Sequence, residues 1–212
     1  MSTCYNENEL NEETLNQIAD SIKDGKVIVF PTETVYGIGV NGFDEDAIKK
    51  IYEIKQRPYN KPISLLVNSF SMIEDVAESL SDTEREIIDK FFPGPLTLVV
   101  KKNKNIPDIL TSGTEYVGVR MPKNKTALRI INAAKVPMAT TSTNISGMDA
   151  DIDFEKAYND FKDKVDYIID GGVAQIGVAS TVIQVVNDEI KVLREGIISK
   201  EEIEGGLSNG SN

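Results

Sequence analysis

The stretch Val27-Ile28-Val29-Phe30-Pro31-Thr32-Glu33-Thr34-Val35-Tyr36-Gly37-Ile38-Gly39 sets the strongest local constraint in the chain. Its first four residues are β-branched or aromatic and few enough to form a buried strand. Pro31 ends that strand because proline has no N–H for a ladder. Thr32, Glu33, Thr34 and Tyr36 then place hydroxyls and a carboxylate at the strand end, where Gly37 and Gly39 let the backbone turn or approach a ligand closely. Two outcomes are open at this point: a polar loop whose threonines satisfy their own backbone, or one wall of a binding site.

Imidazole chemistry is absent, since the 212 residues include no histidine. Cys4 is the only cysteine, which rules out an internal disulfide and, with the missing histidines, argues against a zinc site; no metal-ligand set is expected. Acid–base work therefore falls to carboxylates, lysine, tyrosine or the substrate. A net charge of -11, from 23 basic and 34 acidic residues, argues against holding nucleic acid mainly by phosphate neutralisation. A local basic cleft is still compatible with it. No run reaches the roughly 20 apolar residues of a membrane helix, and the polar, acidic start is unlike a signal peptide. A cytoplasmic protein with no membrane association is expected, built as one domain with enough chain for a real core.

Along the chain, Asn11 caps a helix with Leu15, Ile18, Ala19 and Ile22 on one face, and Gly25 stops it. Asp44 opens another, whose apolar stripe is Ile48, Ile51 and Tyr52 and which runs out in Lys55-Gln56-Arg57-Pro58. Two cations at a helix exit are either solvated or aimed at an anion. Ile63 to Val67 reads as a strand, Ser69 to Ser79 as a helix, and Ser81-Asp82-Thr83-Glu84 as a capping box opening the next. Phe92-Pro93-Gly94-Pro95 breaks that helix before the strand Leu96 to Val100, a helix-to-strand turn assigned to folding. Lys101, Lys102 and Lys104 follow, a solvated strand end or an RNA contact.

Arg120 ends a short strand before Pro122, suited either to bidentate capture of an anion or to a surface position on an edge strand. A helix over Ala127 to Ala134 leads into Val136-Pro137-Met138-Ala139-Thr140-Thr141-Ser142-Thr143-Asn144-Ile145-Ser146-Gly147, a strand entering a hydroxyl- and glycine-rich turn able to cradle a phosphate or a base. A modest helix around Phe154 to Phe161, a strand over Val165 to Ile169 and a loop through Gly177-Val178-Ala179-Ser180 come next. A hairpin of Val182 to Val186 and Ile190 to Leu193 then delivers Arg194-Glu195-Gly196.

The order strand, PTETVYGIG, acidic-capped helix, KQRP, Lys61-Pro62 and second apolar strand resembles the YrdC/YciO family, whose enzymatic members are threonylcarbamoyl-AMP synthases. The resemblance implies that Lys55 and Arg57 are catalytic and face the phosphates of ATP, and that Thr34 contacts threonine. It also implies ATP contacts from Ser142 and Asn144 of the S-x-N motif, here with Thr143 between them, and from Arg194 of R-x-G. Arg120, Thr140 and the Ser180 of S-T-V join Thr34 around the threonine. Lys61 is counted with the nucleotide, where longer members often have an asparagine; Leu66 stands where they often have a histidine. Both substitutions resemble shorter, single-domain members.

The expected architecture is α+β: a twisted mixed β-sheet flanked by helices, with strand-end loops around one large central cleft. Residues 1–11 form a lead, 12–204 the YrdC-like domain and 205–212 a disordered Gly/Ser/Asn tail. The additional C-terminal domain of longer members is not expected. The implied activity joins L-threonine, bicarbonate and ATP into threonylcarbamoyl-AMP and pyrophosphate, with Mg²⁺ carried by the ATP. Downstream, a tRNA-modifying threonylcarbamoyl transferase machinery would consume the product. The alternatives are a weakly active or non-catalytic YciO-like paralogue binding double-stranded RNA or tRNA in the same cleft, and a carbamoyl-phosphate chemistry like that of the related domain in hydrogenase-maturation proteins.

Overall fold

The computed structural model describes residues 2–144 and 150–208. Among the described residues, ten strands form a single mixed sheet in the order β1-β8-β2-β3-β7-β4-β6-β5-β9-β10. The strands are β1 (Thr3–Asn6), β2 (Ile28–Phe30), β3 (Gly37–Asn41), β4 (Ser64–Leu66), β5 (Leu96–Lys101), β6 (Tyr116–Arg120), β7 (Met138–Ser142), β8 (Tyr167–Asp170), β9 (Thr181–Val186) and β10 (Glu189–Arg194). The helices between them are α1 (Glu12–Lys23), α2 (Glu45–Ile54), α3 (Phe70–Val76), α4 (Asp82–Phe91), α5 (Lys125–Ala134), α6 (Phe154–Phe161) and α7 (Lys200–Ser208). The fold is α+β, as the alternation of periodicities implies.

Short polar caps decide where most helices begin. Asn11, Asp44, Ser69, Ser81, Asn124 and Asp153 each accept a hydrogen bond from a first-turn N–H, each cap contributing about 1 kcal/mol. Beyond the caps, apolar stripes such as Ile18/Ile22 of α1, Ile48/Ile51 of α2 and Ile130/Ile131 of α5 are fully or almost fully removed from solvent. Each such side chain contributes on the order of 2 kcal/mol on burial. These contacts hold the sheet rigid and leave its strand ends to carry loops.

Two expectations change and one open alternative is decided. The lead before residue 12 is not apart from the domain, because Thr3–Asn6 pairs in parallel with Tyr167–Asp170 and forms one edge of the sheet. The segment expected as a disordered tail is helical through Ser208: α7 buries Ile203, and Lys90 Nζ donates to the Gly206 carbonyl at 2.6 Å. Residues 209–212 lie outside the described residues. Finally, β6 is an interior strand between β4 and β5, so Arg120 does not lie on an edge.

Candidate active site

The cleft forms where the ends of the central strands meet. Thr140 of β7 pairs with Gly39 on one side and Ser64 on the other, Gly37 pairs with Ser142, and Leu66 pairs with Arg120. Period-two alternation therefore puts Gly37, Leu66, Arg120, Thr140 and Ser142 along one wall. A Cβ at Gly37 or Gly39 would lie 2.9 Å from the Thr140 side chain, so glycine there keeps the wall open around that hydroxyl. The cleft holds about 650 Å³ of empty space counting its open mouth.

At one end lies a buried polar cluster. Thr32 Oγ1 is 2.9 Å from Thr34 Oγ1, which accepts a hydrogen bond from Arg120 Nη2 at 2.9 Å. Arg120 is 7% exposed; its Nε donates to the Gly94 carbonyl at 3.2 Å, and Nη2 is ion-paired to Glu33 Oε1 at 2.8 Å. The Pro-Gly-Pro turn thus has a second consequence beyond folding: its carbonyl orients the arginine. Beside it, the hydroxyls of Thr97 and Ser180 are 2.8 Å apart. Arg194 donates from Nη2 to Ser180 O at 2.7 Å and to Ser180 Oγ at 3.1 Å.

The glycine of R-x-G makes that last contact possible. A Cβ on Gly196 would fall 2.4 Å from Thr181 N and 2.5 Å from Ala179 O, so only glycine lets the chain after β10 press against the Ser180 loop.

The other cations come from the exit of α2. Lys55 is 1% exposed, and its Nζ donates to the Ser142 carbonyl and to Asn144 Oδ1. Burial first, then the neighbouring Arg57 guanidinium, lowers its pKa to about 7, while Asp151 opposes the shift. Arg57 turns its Nε to Lys61 O at 3.0 Å and its Nη2 to Pro62 O at 2.7 Å. Burial lowers the Arg57 pKa as well; that of Arg194 is lowered by burial, then by Arg120 and Arg57. The mutual repulsion marks a region of positive potential suited to a polyanion.

Among the sequence-expected residues, Thr34, Arg57, Arg120, Thr140, Ser142, Ser180 and Arg194 line this one cleft, together with Leu66. Lys55 and Asn144 meet each other behind Ser142. Lys61 offers the site only its carbonyl, its side chain being exposed. Ile145, Ser146 and Gly147 of the glycine-rich turn lie outside the described residues. Tyr36, buried with its hydroxyl between Gly171 N and Gly172 O, is pushed up to about 12, chiefly by desolvation, and is not a base near neutral pH. Lys101 and Lys102 are not a free basic patch: they pair with Glu78 at 3.0 Å and Asp108 at 2.5 Å.

A family model for the Sua5/YciO/YrdC domain, described as telomere recombination, matches residues 20–196. The chain belongs to this family. Among its Sua5/YciO/YrdC relatives, the threonylcarbamoyl-AMP synthase of Pyrococcus abyssi is 40% identical over 205 residues, covering 96% of this chain and 60% of the relative. A putative threonylcarbamoyl-AMP synthase of Methanocaldococcus jannaschii is 38% identical over 199 residues, covering 92% of this chain and 93% of the relative. The crystal structure of P. abyssi Sua5 complexed with L-threonine superposes with a TM-score of 0.90 at 38% identity, over 98% of this chain and 60% of that one. The chain thus spans about three fifths of the length of the P. abyssi protein.

Sequence reasoning gave no role to Glu33 and Thr97, both part of the buried cluster. Glu33 is named in the opening polar stretch, but its partner Arg120 is far along the chain, and no local pattern joins them. For Thr97 the signal was an out-of-place hydroxyl: a polar residue among the apolar residues of β5, facing the cleft rather than the core.

Proposed function

We propose that this chain is a threonylcarbamoyl-AMP synthase, forming threonylcarbamoyl-adenylate and pyrophosphate from L-threonine, bicarbonate and ATP. One cleft carries both kinds of group the reaction needs, and that observation carries the proposal. Arg57 and Arg194 line it, with Lys55 behind Ser142, as cations for phosphates; Thr34, Thr140, Ser180 and Arg120 line it as groups for an amino acid, and Arg194, which donates to Ser180, stands where the two sets meet. The likeness to proteins named as this synthase, one bound to L-threonine, supports the same assignment.

In this account the threonine ammonium gives up a proton to solvent, and the resulting amine combines with bicarbonate to give a carbamate and water. One carbamate oxygen attacks the α-phosphorus of ATP; the bond between that phosphorus and the bridging oxygen breaks, and pyrophosphate leaves. Arg57, Arg194 and protonated Lys55 offset the charge that builds on the leaving phosphates, and Ser142 and Asn144 hold the nucleotide. Arg120 takes the threonine carboxylate with its free edge while Thr34, Thr140 and Ser180 orient the rest. The Mg²⁺ travels with the ATP phosphates; the described residues offer no cluster of His, Cys, Asp or Glu that could cage it, and no step is assigned to a protein-held metal. No helix among the described residues is long and apolar enough to cross a membrane. We place the enzyme in the cytoplasm, supplying its adenylate to a transferase that modifies tRNA.

A ligand-stabilisation scan tests the assignment against RNA binding. ATP with L-threonine should raise the melting temperature more than either alone, and RNA should bind weakly and lose affinity steeply with salt. Tight, salt-tolerant RNA binding with no shift from ATP would sink it.

A further inference from the structure

The cations of the cleft differ in what they are paired with. Lys55 donates to the Ser142 carbonyl and the Asn144 amide oxygen, Arg57 to the Lys61 and Pro62 carbonyls, and Arg194 to the carbonyl and hydroxyl of Ser180. All of these partners are neutral. Among the described residues, Arg120 alone of these cations is ion-paired to a carboxylate, Glu33, at 2.8 Å, with the two side chains 8% and 4% exposed. The other buried acid among the described residues, Asp151, is paired with Lys156 at 2.5 Å.

Two hydrogen bonds and one ion pair hold Arg120 in place. Gly94 O accepts from Nε, Thr34 Oγ1 accepts from Nη2, and Glu33 Oε1 is ion-paired to Nη2 at 2.8 Å, so Nη1 is the edge that donates to no described residue. The arginine lines the cleft although 93% of it is buried, which makes that edge a preset donor pair. Neither oxygen of the Glu33 carboxylate has a hydrogen-bond donor among the described residues. Leaving a buried carboxylate so poorly satisfied costs stability, and a role at the site would explain why it is tolerated.

We propose that Glu33 is the specificity-determining positioning residue of the amino-acid end: by neutralising and orienting Arg120, it makes that end accept a zwitterionic amino acid and reject phosphate. The identity of the zwitterion as threonine rests on the synthase assignment. The physics is a charge sum. A phosphate approaching Arg120 meets the negative Glu33 within a few ångströms of its target, in a region too dry to screen the repulsion. An amino acid brings a carboxylate for Nη1 and an amine that the Glu33 charge attracts. Lys55, Arg57 and Arg194, none of them ion-paired to an acid among the described residues, take the phosphates instead, so ATP is prevented from occupying the threonine end.

Calorimetric titration of the full chain with L-threonine and with inorganic phosphate tests this. In the wild-type chain, saturating phosphate should change the threonine dissociation constant by less than about twofold, because the two anions are sorted to different ends. Glu33→Gln, nearly isosteric, should weaken threonine at least about tenfold and make phosphate competitive with it. Glu33→Asp, which keeps the charge, should recover the resistance to phosphate. Threonine affinity unchanged in a folded Glu33→Gln variant, or phosphate competing equally in wild type and variant, overturns the proposal. Should Glu33→Gln fail to fold, the wild-type competition and Glu33→Asp decide: competition in either overturns it. These are binding measurements, so a wild-type chain that binds threonine but releases no threonine-dependent pyrophosphate counts against the synthase assignment alone.

Discussion

Lys55 at the exit of α2 and Ser142 at the end of β7, 87 positions apart, are joined by a hydrogen bond from the lysine Nζ to the serine carbonyl. The bond holds a cation in a place where solvent barely reaches it, and burial lowers its pKa to about 7. Above that pH the empty site holds Lys55 mainly neutral. Phosphates brought beside it favour the charged form, so ATP binding near pH 8 should take up a proton from the buffer. Calorimetry in buffers of different ionisation enthalpy measures this directly: uptake is expected in the wild-type chain and should vanish in Lys55→Met. Equal proton exchange in both would remove Lys55 from the phosphate site.

The same shift makes a stability prediction of defined sign. Lysine in the unfolded chain titrates near its ordinary 10.5 and the folded group near 7, so between these values the unfolded chain binds more protons. Stability from this group therefore rises with pH across that window. Lys55→Met should flatten the rise and, at pH 7, should raise stability by at least about 1 kcal/mol. Urea midpoints for both chains at pH 7, 8.5 and 10 check it. Destabilisation by the variant at pH 7 would mean that its hydrogen bonds outweigh the cost of burying the charge.

Arg120→Ala should separate the two substrates. Losing a buried, forked donor raises the threonine requirement at least about thirtyfold and the ATP requirement far less. It also strands Glu33 as an unpaired buried charge, so the melting temperature should fall. Equal effects on both substrates would put Arg120 in the wrong part of the cleft.

Two glycines make a matched pair. Gly196→Ala puts a methyl group 2.4 Å from the Thr181 nitrogen, which forces the chain after β10 away from Ser180 and breaks the Arg194 contacts; ATP affinity should drop several-fold and stability by about 2 kcal/mol. At Gly205, within α7, a Cβ meets nothing within 4 Å. Gly205→Ala should therefore be neutral or stabilising, by up to about 1 kcal/mol. Parallel thermal melts and ATP titrations test both, and equal effects would undo the close-approach explanation.

Much of this fold is legible in the sequence because its signals are local. Asn11, Asp44 and Ser81 name their helices in advance, and Asn187-Asp188 turns β9 into β10 with positive φ at both residues, as a tight hairpin requires. What is missed has weaker or distant signals. The residues of β1 alternate no apolar face and become a strand only by pairing with β8, more than 160 positions on. Gly205 and Gly206 disguise α7, although Ser199 and Glu202 form a capping box, with Glu202 N donating to Ser199 Oγ at 3.2 Å and Ser199 N to Glu202 Oε2 at 2.8 Å. At the site, residue types and positions are readable while pairing is not: Thr34 and Arg120 meet across 86 positions, and only the sheet order brings them together.

The proposed activity joins three substrates into an adenylate within one cleft. Its most direct test is mass spectrometry of the purified chain incubated with ATP, L-threonine and ¹³C-bicarbonate. Threonylcarbamoyl-AMP carrying the label in its carbamoyl carbon is expected, formed one for one with pyrophosphate and missing when threonine is omitted. Unlabelled product, or pyrophosphate that appears equally without threonine, would contradict it.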